Sequence, residues 1–176
     1  DAQGAWTFTA NEHKSRPVDF SQVDAALMLG IDDDDLAGLP RYVDNGSEQV
    51  VIPVKSVEAL AKVKPIPDLL KKHVHVRLDR YLAYVVARVA KDRFQVRFFF
   101  PKDGGMMTED PGTGSACACL GGFLIDSGEP TPSQFTVTQG EFINRLNVLQ
   151  LSLTADKRVR VGGRVLPLGE GVIHLP

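Results

Sequence analysis

Thr108-Glu109-Asp110-Pro111-Gly112-Thr113-Gly114-Ser115-Ala116-Cys117-Ala118-Cys119-Leu120-Gly121-Gly122-Phe123-Leu124-Ile125-Asp126 is the stretch on which the fold turns. Its first half is polar turn chemistry, and its second half is a run of small and apolar residues with helical character. The reading places a helix over 114–126, with Ala, Cys, Leu and Phe on nearly all sides. A helix without a polar face must be buried, so the rest of the chain has to wrap around it. Its first turn leaves backbone N–H groups without intrahelical acceptors, and the preceding glycines let a ligand approach the backbone closely. Together with the helix dipole this makes an anion site at Thr113, Gly114 and Ser115, flanked by the acids Glu109 and Asp110. The plainer reading of the same residues is a cap, with Asp110 or Ser115 closing the helix start.

On the C-terminal side, residues 135–140, 148–153, 159–161 and 165–168 read as short strands, with turns at Asp156-Lys157, Gly162-Gly163 and Gly169. On the N-terminal side, residues 82–89 and 94–100 read as two strands around a turn at 90–93 that feed into the signature stretch. Residues 48–54 form a β-branched run, hence a strand buried on both faces. Ser56 then caps a helix through Val57, Leu60 and Ala61, which Pro65 and Pro67 end, and residues 68–73 give a further turn or two. A helix at 21–29 starts at Ser21 and stops at Gly30. Trp6–Thr9 alternates as a strand with no partner close in sequence. The sum is an α+β chain whose mostly antiparallel, barrel-like sheet encloses one helix.

At 176 residues with a formal net charge of −2, the chain is long enough for one core and lacks the basic face of a nucleic-acid binder. No apolar run approaches a membrane span. Cys117 and Cys119 lie two apart on the helix, point to different faces and read as reduced, buried thiols, which with the lack of a signal peptide implies a cytoplasmic protein. Consecutive acids from Asp32 to Asp35 read as a solvated turn and helix start, because calcium loops need spaced ligands. His73 and His75 lack a third ligand near them in sequence, so no metal site is assigned. The opening residue, Asp1, reads as the start of a processed or truncated product.

Glu109-Asp110-Pro111-Gly112-Thr113-Gly114-Ser115-Ala116 resembles the signature of the PhzF-like (phenazine biosynthesis F-type) isomerases, which share the diaminopimelate epimerase-like fold. Three further stretches agree in order and spacing. These are Asp44-Asn45-Gly46-Ser47 leading into Val50–Val54, Val96–Pro101 before the signature, and Val161-Gly162-Gly163 near the end. The resemblance implies two-lobed relatives in which a small carboxylate binds between the lobes, and a proton moves between carbons without a cofactor. By the same resemblance, residues 1–20 are the tail of a mostly missing first lobe, 21–168 the second-lobe barrel with its central helix, and 169–176 a terminal strand returning to the first lobe. Asp110 and Ser115 match catalytic positions, and Thr113, Gly114, Ser115 and Arg145 match substrate-binding ones. The first-lobe acid and Gly-His stretch have no counterpart here. Pro111 stands where same-fold epimerases carry a cysteine base, which disfavours two-thiol racemisation. Asn144-Arg145-Leu146-Asn147 replaces the usual Gly-Arg-Pro-Ser, keeping Arg145 alone.

Two expectations follow. In one, the chain is the second lobe of an isomerase and needs a second polypeptide or a homodimer mate to cover the strands at Trp6–Thr9 and Val172–Leu175. In the other, it is a catalytically inactive single-lobe binding module.

Overall fold

The computed structural model describes residues 4–102 and 104–174. Its centre is the strand pair β5 (Ala83–Ala90) and β6 (Arg93–Pro101), antiparallel as the sequence predicts and joined by a two-residue turn. The far edge of β6 is shared between two partners. Residues 93–96 pair in parallel with β8 (Ser133–Gln139), and residues 98–101 pair antiparallel with β7 (Met107–Asp110). Between β7 and β8 runs α4 (Gly114–Asp126), with the boundaries expected from its sequence.

From β8 the sheet continues antiparallel through β9 (Asn147–Leu153) and β10 (Val159–Arg164) to β1 (Ala5–Thr9). From β5 it continues in parallel to β4 (Gln49–Val54), then antiparallel to β3 (Arg41–Asp44) and β2 (Lys14–Pro17). The crossover between β4 and β5 carries α2 (Val57–Lys62), with Ser56 at its N-cap, and α3 (Pro67–His73), with Pro67 opening it. The helix α1 (Gln22–Leu29) begins in a reciprocal Ser21–Asp24 capping box and ends at Gly30, whose φ of 66° is the left-handed conformation that glycine adopts most cheaply.

This is one mixed sheet of ten strands, mostly antiparallel as expected but not closed into the barrel that the strand pattern implies. Two of its pairings are parallel, and its terminal strands β1 and β2 do not pair with each other. The edge at β2 is blunted by exposed Lys14 and Arg16 and by Pro17, which has no N–H to offer, so closure there is chemically disfavoured. The sheet still curls round α4. Strands from both ends, β9 and β10 on one side and β2, β3 and β4 on the other, touch the helix. Two glycines permit this: a Cβ on Gly121 would lie 2.5 Å from Val159 Cγ1, and one on Gly122 would lie 2.8 Å from the His13 ring. Residues 116–122 and Leu124 of the helix are buried, as are Tyr42, Ile52, Tyr84 and Leu151 of the sheet facing the same core.

The C-terminal expectations need correcting. Gly162-Gly163 is not a turn; both residues lie inside β10, and Gly162 sits opposite Thr7 with room for no side chain, since a Cβ would stand 2.6 Å from Thr7 Oγ1. Glycine in a strand here marks a close backbone approach. Val165–Leu168 forms no strand; Leu168 is 97% exposed. Residues 172–174 pair with no strand of this chain, which does not bear on their expected return to a first lobe, and Leu175 and Pro176 lie outside the described residues. Trp6–Thr9 is a strand, and its partner is β10.

Candidate functional site

The division of the β6 edge brings two distant residues face to face. Gln139, the last residue of β8, pairs with Val96, and Asp110, the last residue of β7, pairs with Phe98. The fully buried Gln139 amide fills the gap. Its Nε2 donates to the Asp110 carbonyl at 2.7 Å and to Thr113 Oγ1 at 3.1 Å, and its Oε1 accepts from the Thr113 N–H at 3.3 Å. Thr113 Oγ1 donates in turn to Asp110 Oδ2 at 2.6 Å. The turn 110–113 is thus fixed from both of its ends before the helix begins.

Thr113 is the N-cap of α4, and its hydroxyl is spent on Asp110 instead of on the helix. Neither Asp110 nor Ser115 serves as the cap. The first intrahelical bond runs from the Cys117 N–H to the Thr113 carbonyl. Among the described residues the N–H groups of Gly114, Ser115 and Ala116 have no acceptor, which leaves the positive end of the helix open.

β7 is held in place on its other face. The Arg97 guanidinium meets the Glu109 carboxylate at 2.7 Å and donates to the carbonyls of Leu60 and Val63 at 3.0 Å each. Both side chains are almost buried, and the planar guanidinium satisfies a carboxylate and two helix-end carbonyls at once. Glu109 is therefore spoken for, while Asp110 faces the opening.

That opening is a cleft of about 380 Å³. Asp110, Thr113 and Ser115 form one wall, Ser47 and Gln49 another, and Arg80 and Tyr81 stand at its side. Leu82, Phe98, Phe100 and Pro101 supply an apolar lining, with the two phenylalanine rings stacked at 6.2 Å between centroids. The Gln49 amide donates through Nε2 to Ser47 Oγ at 3.0 Å, while its Oε1 is buried without a partner. A neighbouring recess shares Ser47 and Ser115 and adds Asn11 and Asn45. A larger groove of about 660 Å³ lies beyond Gly114, between Trp6, Phe8, Leu146 and Val148. It is mostly apolar and lined by no carboxyl or imidazole, in contrast to the smaller cleft, which Asp110 lines.

Of the residues nominated from sequence, the fold brings Asp110, Thr113 and Ser115 into one cleft. Gly114 sits on the same turn but faces the larger groove. Arg145 does not join them: its side chain is exposed, it lines none of these recesses, and its backbone is tied to Gly140 by a 2.9 Å hydrogen bond. Gln49, Arg80, Tyr81 and Gln139 were not singled out by sequence reasoning. Gln139 left a signal, being the third inward position after Phe135 and Val137, where an amide replaces an apolar side chain. Neither thiol lines the cleft. Cys117 and Cys119 are free and buried, and burial pushes both up to about 12. Among the described residues no group of His, Cys, Asp and Glu is placed to hold a metal ion, and no helix is long and apolar enough to cross a membrane.

The sequence profile of the phenazine biosynthesis-like protein family (PhzC-PhzF) matches residues 7–171. An uncharacterized isomerase of Pasteurella multocida is 34% identical over 149 residues, which is 85% of this chain and 49% of that protein. One from Clostridium acetobutylicum is 29% identical over 136 residues, covering 72% of this chain and 44% of its own length. The crystal structure of a Bacillus anthracis phenazine biosynthesis protein of the PhzF family superposes with a TM-score of 0.73 at 16% identity, over 90% of this chain and 57% of that one. A predicted epimerase from Pseudomonas aeruginosa gives 0.70 at 24% identity, over 91% and 55%. The chain spans about half the length of the curated relatives it matches.

Proposed function

Since the chain belongs to the phenazine biosynthesis-like (PhzF) family, we propose that it supplies one half of a cofactor-independent isomerase cleft, binding a small carboxylate and handling a proton through Asp110. The observation that carries this reading is the shared cleft of the Asp110 carboxyl and the uncapped start of α4 at Thr113–Ser115. The N–H groups of Gly114 and Ser115, with Ser115 Oγ, would hold the substrate carboxylate. They would also take the negative charge that builds up when a neighbouring C–H bond breaks and its electron pair moves toward that carboxylate. A proton leaves one carbon and is returned to another, so the substrate is isomerised with no net change in atoms or electrons. Asp110 is the one carboxyl lining the cleft among the described residues, so the second proton-handling group comes from another polypeptide or a further lobe.

The same observation favours a second reading, in which the chain binds a carboxylate and catalyses nothing. The two separate in one experiment. Deuterium wash-in from D2O to a panel of small unsaturated carboxylates, 3-butenoate among them, is followed by NMR with the full chain alone and with the other half of the Pasteurella relative. Exchange only in the second mixture, lost in Asp110→Asn, is the expected result. Exchange by the chain alone that survives Asp110→Asn overturns the isomerase reading. Exchange in neither mixture, with benzoate still bound and weakened in Ser115→Ala by about 1 kcal/mol, establishes the binding module.

A further inference from the structure

β1, Ala5-Trp6-Thr7-Phe8-Thr9, is one edge of the sheet, and nothing in its sequence protects that edge. Natural edge strands are guarded by charges, lysine above all, and by proline, which is how β2 is built at the other margin with Lys14, Arg16 and Pro17. β1 has neither. Its pairing with β10 shows which backbone groups are already used. The Ala10 N–H donates to the Val159 carbonyl at 2.9 Å and the Val165 N–H to the Gly4 carbonyl at 3.0 Å, so the even-numbered positions bond to β10. In an antiparallel ladder the alternate residues turn both groups the other way. Thr7 and Thr9 therefore direct N–H and C=O toward the open side, where no strand lies among the described residues. On the face toward α4, Trp6 is 70% and Phe8 52% exposed, with Leu149 and Val161 beside them in the larger groove.

We propose that β1 pairs antiparallel with β1 of a second copy of this chain, about a two-fold axis beside Thr7. With Thr7 opposite its own copy, the two threonines exchange N–H and C=O bonds across the axis, and Trp6 of each chain stands opposite Phe8 of the other. Those aromatic pairs fall at non-hydrogen-bonded positions, where opposed side chains come closest. A shift of two residues leaves Phe8 opposite Gly4 or Trp6 opposite Ala10, so this register alone gives both rings of each chain an aromatic partner. The strand carries no charge to oppose the pairing. Arg160 of one copy and Arg164 of the other are three strand spacings apart, about 14 Å, which exceeds the Debye length at physiological salt. A wholly buried Trp or Phe removes about 150–250 Å² from water, so four rings exposed to this degree bring on the order of 500 Å². Even with the paired backbone added, that is below the roughly 1,200–2,000 Å² of a stable complex and fits a dimer in the micromolar range. At lower concentration β1 stays the fraying margin of a monomer. The pairing is independent of the carboxylate reading, since Trp6, Thr7 and Phe8 lie outside the Asp110 cleft.

The test is sedimentation equilibrium of the full chain from about 1 to about 200 μM, a range that brackets such a dimer. The expected result is a mass rising with concentration from 19.2 kDa toward twice that value. Thr7→Lys sets two ammonium groups beside the axis and Thr7→Pro removes the N–H that crosses it, so both hold the chain at the monomer mass. Thr7→Lys leaves the β1–β10 ladder intact and keeps the conclusion readable if Thr7→Pro disturbs the strand. The register is read by mild oxidation of cysteine variants. In Thr7→Cys the two thiols face each other at a Cα separation of about 5.5 Å, which a disulfide spans, whereas in Thr9→Cys they lie about 14 Å apart. The native Cys117 and Cys119 are buried and do not compete. A covalent dimer is expected from Thr7→Cys and none from Thr9→Cys. A parent that stays at 19.2 kDa at the highest concentration overturns the proposal, as does a dimer that Thr7→Lys leaves intact, or cross-linking of Thr9→Cys as fast as that of Thr7→Cys. A parent that is monomeric alone, and binds the other half of the Pasteurella relative in a manner that Thr7→Lys blocks, overturns it too and assigns the edge to that half.

Discussion

At the scale of single residues, the open polar turn and the packed helix are different parts of the same stretch. Asp110, Thr113 and Ser115 were legible from sequence because turn residues ahead of an apolar helix announce an open helix start. Gln139 and Gln49 were not, because a glutamine acquires its role only from what the sheet register sets beside it: Gln139 meets Asp110 through pairing with β6, more than twenty residues from the turn it fixes. Arg145 lies outside the cleft of this chain, because a matching residue type does not set where its turn points it. The two thiols make a prediction about pH. Each has its folded pKa raised by burial from an ordinary value near 9 to about 12, so the folded chain keeps protons that the unfolded chain gives up. Their contribution is intact below about pH 9 and lost as pH rises toward 12, at about 1.4 kcal/mol per pH unit for each thiol. Urea unfolding at pH 8, 9, 10 and 11 should show a steeper loss of stability in the parent than in a Cys117→Ala/Cys119→Ala double variant. Equal slopes would remove burial of the thiols as a cause.

At the scale of elements, α1, α2, α4, β4, β5, β6, β8 and β9 follow from caps and periodicity. Three short strands escaped that reading. β2 carries exposed Lys14, Arg16 and Pro17 round a half-buried Ser15, β3 has only four residues, and β7 is hidden inside the polar turn that precedes α4. The parallel pairings and the open edge also have no local signal, because closure is decided by strands far apart in the chain. The glycines of α4 give the sharpest test at this scale. Alanine is the better helix former by about 1 kcal/mol, and in an exposed helix Gly→Ala would stabilise. At Gly121 the added methyl would meet Val159 Cγ1 at 2.5 Å and Leu151 at 3.1 Å, and at Gly122 it would meet the His13 ring at 2.8 Å and Val43 at 2.9 Å. Overpacking of a tight core costs about 1–3 kcal/mol, so Gly121→Ala and Gly122→Ala should both lower Tm, each by prising one end of the sheet off the helix. A rise in Tm for either would mean that the sheet does not grip the helix as closely as described.

At the scale of the whole molecule, the organising fact is that α4 is held by strands from both ends of a single open sheet. Native-state hydrogen exchange should therefore find the amides of residues 118–126 as well protected as those of β5 and released only by global unfolding, whereas β1 and β2 at the margins should open first. Helix amides that exchange ahead of β5 would contradict this. The same grip sets a timetable for folding. Leu120 and its neighbours cannot complete their contacts until residues near 43 and residues near 159 have both come to them, so the decisive contacts join segments separated by about forty to eighty positions in the chain. Chains that rely on such distant meetings fold on the order of milliseconds to seconds, not microseconds. During synthesis the helix would leave the ribosome well before β10, and until that strand follows, its apolar surface would be half covered and open to chaperones.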